Sequence, residues 1–361
     1  MRFAFDERQL DFRAQLRAFA EKECTPADIR KVWGSGSGWS RERWRALAEM
    51  GVVGLTVPED LGGLGLGMVD LVLVLEEAGR SGIPEPLLVN TALAAPLLAG
   101  LRSSGGSHES SGSIAPSDYV ENLLSEIASG DAVVTVGSTP PPAGSPPLVP
   151  NALGADALLL ERDGELHAVE AARATIVAKP SIDGTRGLGE VTWDASESTP
   201  LAREAIAARL LGESVDRAAT GSAAMLVGIA DHMISLAAEY AGERKQFGKP
   251  IGSFQAVKQL LAEALVRLEF ARPVVYRAAW SLEVGDPSSS RHASEAKAAA
   301  SEAATHAART ALQVHGAIGY TWEHDLHFWM KRAWSLAAAW GDARAHRARL
   351  LSFLVAERSG H

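Results

Sequence analysis

The chain has one cysteine, Cys24, among 361 residues. A single thiol can form neither an internal disulfide nor a multi-cysteine metal site, so Cys24 is expected as a helix-surface or partly packed side chain. Aromatic residues make up 6% of the sequence and positive charge is in deficit, with a net charge of -9. No basic patch interleaved with aromatics occurs, which argues against a nucleic-acid partner. The N-terminal run Met1-Arg-Phe-Ala-Phe-Asp-Glu7 has charges where a secretory apolar segment would lie. No later stretch offers about twenty uncharged apolar residues, so a membrane span is not expected and a cytoplasmic protein is. The length exceeds one ordinary domain and allows two or three units with a substantial core.

What is present is helical periodicity, and it concentrates around one corner. Met225, Ile229, Met233, Leu236, Ala237 and Tyr240 recur at the spacing of an apolar helix face, and Val257, Leu260, Leu261, Ala264, Leu265 and Leu268 repeat it downstream. Between them Gly248 and Pro250 are expected to stop the first helix, and Ser253 to cap the second. Arg244, Lys245 and Lys249, with Gln246 and Phe247 among them, form a basic corner suited to a phosphorylated, ring-bearing ligand. A solvated basic turn is the alternative.

The rest of the chain divides by composition. Residues 5–31 and 39–50 have helical period and are separated by Gly-Ser-Gly-Ser-Gly at 34–38. The glycine-rich run Gly51–Gly67 lacks the lysine and the strand-loop-helix context of a phosphate-binding loop, so a structural turn is expected there. A helix carrying Glu76-Glu77-Ala78-Gly79-Arg80 follows. Residues 102–117 are Ser/Gly-rich and read as a surface loop. Short β-rich runs start at Asp131, Ala157, Glu165 and Gly189, each bounded by turn residues. From about residue 200 the pattern is an alanine- and leucine-rich helical bundle, broken at Gly285–Ser290 and Gly316–Gly319. His324, Asp325 and His327 lie close together in sequence, and the two histidines could share a helix face. A third metal ligand is not placed, so structural or partner-facing histidines are expected and no metal is.

Three segments in order carry a family resemblance. Glu243-Arg-Lys-Gln-Phe-Gly-Lys-Pro-Ile-Gly-Ser-Phe-Gln255, Gln313-Val-His-Gly-Ala-Ile-Gly-Tyr320 and the Gly51–Gly67 run with its following helix resemble acyl-CoA dehydrogenases. The resemblance implies an α+β, mostly α fold. Its parts would be an N-terminal helical domain (1–125), a reduced middle β domain (126–199) and a C-terminal four-helix bundle (200–361). It implies FAD as cofactor, an acyl-CoA substrate and an electron-transferring flavoprotein as acceptor. Carried over, Arg244, Gln246, Phe247, Gln313 and Gly316 would contact the ADP half of an FAD held mainly by a neighbouring subunit. The family's flavin-cradling Thr-Glu-Pro segment is replaced here by Ser138–Ser145.

The family reaction removes an α proton with a carboxylate while a hydride leaves the β carbon for the flavin. Aligned on the family's two positions for that base, this chain has Trp340 and Ala218, neither of which can accept a proton. Asp342 and Asp216 lie two residues away, a spacing that turns a helical side chain by about 200°. The sequence therefore looks most similar to the base-lacking subunit of actinobacterial α2β2 enzymes that shorten sterol side chains, paired with a base-bearing homologue. The alternatives are a self-sufficient homo-oligomeric enzyme with Asp342 or Asp216 as base, and a non-catalytic FAD- or acyl-CoA-binding interaction protein. Trp340 would be either bundle core or a plug of the acyl site.

Overall fold

The computed structural model describes residues 4–104, 116–137 and 146–359. In chain order come α1 (Glu7–Glu23), α2 (Pro26–Trp33), α3 (Arg41–Glu49), α4 (Met68–Arg80), a π-helical turn Leu88–Ala94 continuing into α5 (Ala95–Ser104), and α6 (Ser117–Ser129). Among the described residues the strands that follow are β1 (Val134–Gly137), β2 (Leu148–Val149), β3 (Ala157–Arg162), β4 (Glu165–Glu170), β5 (Thr175–Ala178), β6 (Gly189–Thr192) and β7 (Thr199–Arg203). The chain then runs through α7 (Glu204–Glu243), a small hairpin of β8 (Lys245–Gln246) and β9 (Lys249–Pro250), α8 (Gln255–Glu283), α9 (Ser289–His315), α10 (Leu326–Ala338) and α11 (Ala343–Ser359). The fold is α+β and mostly helical, with N-terminal helical, small β and C-terminal helical parts, as the resemblance implied.

Contacts divide the chain into two units: one of residues 1–26, 72–83 and 219–361, the other of 27–71 and 84–218. The second unit holds the sheets. β1 pairs parallel with β3, and β3, β4 and β7 continue antiparallel, with a bulge between Leu166 and His167. β2, β6 and β5 form a second, antiparallel sheet. Val149, Leu158, Leu160, Val169 and Val191 pack between them, an apolar core that the inward side of each strand supplies. The sequence signals found four of these strands. β2, β5 and β7 escaped them because they are short or lie next to proline and charged residues, so no alternation marks them.

In the first unit α9 packs against α8, α10 and α11. Its alanines at 293, 296, 300 and 304 are fully buried, and so small a side chain lets the neighbouring backbones come close. α4 and α7 meet at a tighter contact still: a Cβ on Gly228 would lie 1.8 Å from the Glu76 carbonyl oxygen. Beside this contact Glu76 accepts hydrogen bonds from Arg272 and from the Tyr276 hydroxyl, the latter at 2.7 Å. Burial pushes the Glu76 carboxyl up, against the pull of the Arg272 cation.

Several local expectations are corrected. The helical stretch over 5–31 is two helices, because Pro26 lacks an N–H and opens α2 at its first position. Cys24, the C-cap of α1, is 4% exposed and thus buried. Within the expected loop at 102–117, Arg102–Ser104 belong to α5 and Ser117 to α6, while 105–115 lie outside the described residues. Arg102 is held there by Asp60 and Glu121. The replacement segment Ser138–Ser145 also lies outside the described residues. The Gly51–Gly67 run closes on itself, with the Leu64 amide donating to the Gly54 carbonyl and the Leu66 amide to that of Leu55. Among the described residues one helix, α7, is long and apolar enough by length and composition to cross a membrane, but 72% of its apolar window is buried in the protein, as in a core helix.

Candidate functional site

The basic corner is built differently from the helix-corner-helix expected of it. α7 ends at Glu243, before Gly248, and Ser253 does not cap α8: Phe254 holds that position without a side-chain bond, and the Ser253 hydroxyl donates to the Pro250 carbonyl. Between the helices β8 and β9 form a hairpin whose two central residues, Phe247 and Gly248, have φ of 51° and 82°. Positive φ at both positions is the signature of a tight primed turn, and glycine at the second lowers its cost. The Ile251 amide closes the hairpin on the Arg244 carbonyl at 2.8 Å.

The result is a projection. Residues 242–249 are all exposed, and Phe247 is 92% exposed. Among the described residues the Arg244 guanidinium has no ion-pair partner, so its five donors are available to a ligand. The second segment stands beside it through aromatic contacts: Tyr240 stacks on His315 with centroids 4.5 Å apart, and His315 meets His324 edge-on at 4.5 Å. Burial lowers the pKa of both histidines, and the His315 Nδ1 lies 2.8 Å from the Ala311 carbonyl, which makes it the protonated nitrogen. Gln313 is exposed on the last turn of α9, and Gly316 after it has φ 65° with open space around it. Arg244, Gln246, Phe247, Gln313 and Gly316 are thus each exposed, on the hairpin after α7 and at the end of α9, two segments joined by the Tyr240–His315 stack.

The two histidines do not share a helix face, the arrangement their spacing would have allowed. His324 precedes α10, and the rings find different neighbours: His324 faces His315 and Tyr240, whereas His327 packs on Trp322 and Phe328. Among the described residues no group of three or more potential ligands gathers.

At the family's base positions the geometry is also unlike a helix. Trp340 lies between α10 and α11 with φ 50°, partly exposed and outside the buried core, so the bundle-core reading fails and helix rotation does not describe residues 340–342. Asp342 is exposed and caps α11, accepting from the Ala345 amide at 2.8 Å. Ala218 is fully buried in α7, and Asp216 is 5% exposed.

Two features had no signal that the sequence reading used. A cavity of about 380 Å³ is lined by Arg17, Cys24, Arg80, His232 and Trp329 among others, and contains neither Arg244 nor Trp340. Within it His232 stacks on Trp329 at 3.9 Å, and burial with the nearby Arg80 cation lowers its pKa to about 4. The other is Lys297, fully buried on α9; a lysine falling on an otherwise alanine stripe was the available clue.

Residues 6–103 match the family model for the acyl-CoA dehydrogenase N-terminal domain, and 208–354 that for the C-terminal domain. The chain is 34% identical over 329 residues to acyl-CoA dehydrogenase IpdE2 of Mycobacterium tuberculosis, covering 91% of each chain. With IpdE2 of Mycolicibacterium smegmatis it is 34% identical over 349 residues, 96% of this chain and 98% of that one. The solved ChsE4-ChsE5 complex from Mycobacterium tuberculosis has a TM-score of 0.82 at 25% identity, covering 98% of this chain and 99% of the matched one. The chain belongs to the acyl-CoA dehydrogenase family, whose members are FAD-dependent oxidoreductases acting on CH–CH bonds.

The exposed residues of the hairpin and of the end of α9 have groups that fit part of such a cofactor. A free guanidinium, two exposed carboxamides, an exposed ring and an unobstructed glycine suit a pyrophosphate and adenosine approached from outside the chain. When bound, FAD supplies the hydride acceptor.

Proposed function

We propose that the chain is a subunit of a heteromeric acyl-CoA dehydrogenase that contributes scaffold and ADP-side contacts, while a homologous partner carries the base. The observation that carries this reading is the absence of a carboxylate at either base position, with Trp340 and Ala218 standing there. Asp342, one of the two neighbouring carboxylates, is occupied as a helix cap. Arg244, Gln246, Phe247, Gln313 and Gly316 are the proposed contacts to FAD held mainly by the partner, in an α2β2 arrangement. The parts bounded at 1–125, 126–199 and 200–361 are the working domains of this proposal.

The exposed apolar side of α8 supports a second chain. Leu265, Val266 and Phe270 are 45%, 53% and 73% exposed, Leu265 being part of the apolar face read from the sequence. Apolar surface of this kind is covered in an oligomer more often than left in water. The solved relatives include a complex of two different chains, ChsE4-ChsE5, and a Tcur3481-Tcur3483 steroid ACAD whose chain is 27% identical with TM-score 0.83. On that basis the proposed substrate is a steroid side-chain acyl-CoA; an electron-transferring flavoprotein as acceptor and a cytoplasmic location complete the proposal from the family resemblance.

Co-expression with homologues encoded beside it tests the reading. The chain alone should purify colourless and inactive, and with its partner yellow and active toward an acyl-CoA. A yellow chain active alone overturns it in favour of the self-sufficient enzyme. Inactivity with every such homologue would also count against it and leave a binding protein.

A further inference from the structure

Lys297 is fully buried on α9. Withdrawing an ammonium from water costs several kcal/mol unless hydrogen bonds replace its hydration, so a lysine there needs acceptors. Its Nζ donates to the Ala337 carbonyl at 3.0 Å, the Gly341 carbonyl at 3.1 Å and the Ser301 hydroxyl at 3.2 Å. Three acceptors match the three N–H bonds of an ammonium. Ala337 lies in the last turn of α10, where carbonyls have no intrahelical donor and the helix dipole presents its negative end. Gly341 lies on the far side of the turn that follows. One side chain therefore ties both ends of the segment 337–341 to α9.

Inside that segment the backbone is strained. Trp340 has φ 50° and Gly341 φ 89°, a conformation that glycine adopts freely. For a bulky residue the left-handed region is unfavourable and persists only where the surroundings impose it. Here a second hydrogen bond acts on the same turn, since the His346 Nε2 lies 2.9 Å from the Trp340 carbonyl. Asp342 then caps α11 immediately afterwards.

We propose that Lys297 is a positioning residue: its ammonium clamps the turn between α10 and α11 and so fixes how the side chain at position 340 is presented. The functional meaning of that presentation rests on Trp340 occupying the family's base position. The turn's geometry is set from α9 and from His346, not by the residue at 340. Lys297 acts through the backbone, and its substitution should disturb Trp340 selectively.

The chain labelled with 5-fluorotryptophan has nine tryptophans to observe by fluorine NMR, and Trp340→Phe identifies the signal of interest. Lys297→Met keeps an unbranched chain, one atom shorter, and removes its donors. The Trp340 signal should move by more than its linewidth or broaden, while those of Trp39, Trp44 and Trp193 stay in place. A folded Lys297→Met protein with an unmoved Trp340 signal overturns the proposal. Should that variant fail to fold, Ser301→Ala decides: losing one of the three acceptors should shift the same signal by less, and no shift counts as refutation. The measurement uses the chain without flavin or partner, so its failure and that of the heteromer reading are distinguishable.

Discussion

Tyr240 and His315 stack with centroids 4.5 Å apart and planes 23° from parallel, and this contact joins the end of α7 to the end of α9. The hairpin bearing Arg244 and the turn bearing Gly316 follow directly from those two residues. Aromatic stacking of this kind is worth about 0.5–1.5 kcal/mol beyond area burial. Tyr240→Leu should therefore leave the chain folded and weaken flavin retention in the assembled complex by several-fold, measured by FAD titration. Retention equal to the wild type would show that the stack does not align the two turns.

Arg244→Ala should have the larger effect. It removes a charge-assisted contact worth about 1.5–3 kcal/mol, or roughly tenfold to a hundredfold in affinity. Because Arg244 is exposed and has no ion-pair partner among the described residues, the fold should be unaffected. Unchanged FAD affinity would remove Arg244 from the site.

Asp342→Asn and Asp216→Asn test the alternative base. Asparagine caps helices about as well as aspartate, so α11 should survive the first change. Activity of the complex should stay within a few-fold for both, whereas loss of a general base typically costs about 10²–10⁴-fold. A loss of that size, with flavin content and assembly unchanged, would assign the base to this chain.

Gly228→Ala sets two effects against each other. Alanine favours a helix by roughly 0.8–1 kcal/mol over glycine. The added methyl, however, would lie 1.8 Å from the Glu76 carbonyl, so α4 and α7 must separate. Overpacking of this kind costs about 1–3 kcal/mol, and the displaced segment carries the buried Glu76 contacts to Arg272 and Tyr276. Net destabilisation is expected in denaturant titration. A stabilised variant would contradict the close packing of the two helices.

His232 gives a pH dependence. Its pKa is about 4 folded against 6.5 unfolded, so between those values the unfolded chain binds the extra proton. Stability should then fall as pH drops from about 6.5 to about 4, by up to roughly 3 kcal/mol from this group. His232→Phe keeps a ring against Trp329 and removes the titration, so the acid side of its stability profile should be flatter than that of the wild type. Parallel profiles would show that His232 does not titrate in this way.

The sequence by itself determined the long C-terminal helices, because the periodic apolar faces of α7 and the glycine-bounded end of α9 are local patterns. It also determined the family, through Arg244–Gln255 and Gln313–Tyr320, and the lack of a carboxylate at 340 and 218, which is a matter of residue identity. Only the tertiary structure decided what those residues do. Phe247 projects because residues 244–251 close a hairpin, a pairing that depends on left-handed φ at a phenylalanine and that no composition announces. His324 and His327 part because α10 begins at Leu326, between them, and a spacing of three does not say where a helix starts. The clamp of Lys297 on Ala337 and Gly341 joins residues 40 and 44 positions apart, a distance over which neither spacing nor propensity carries information. Contacts of that range arise only when α9 and α10 pack, and packing fixes them through side-chain size and hydrogen-bond satisfaction rather than local pattern.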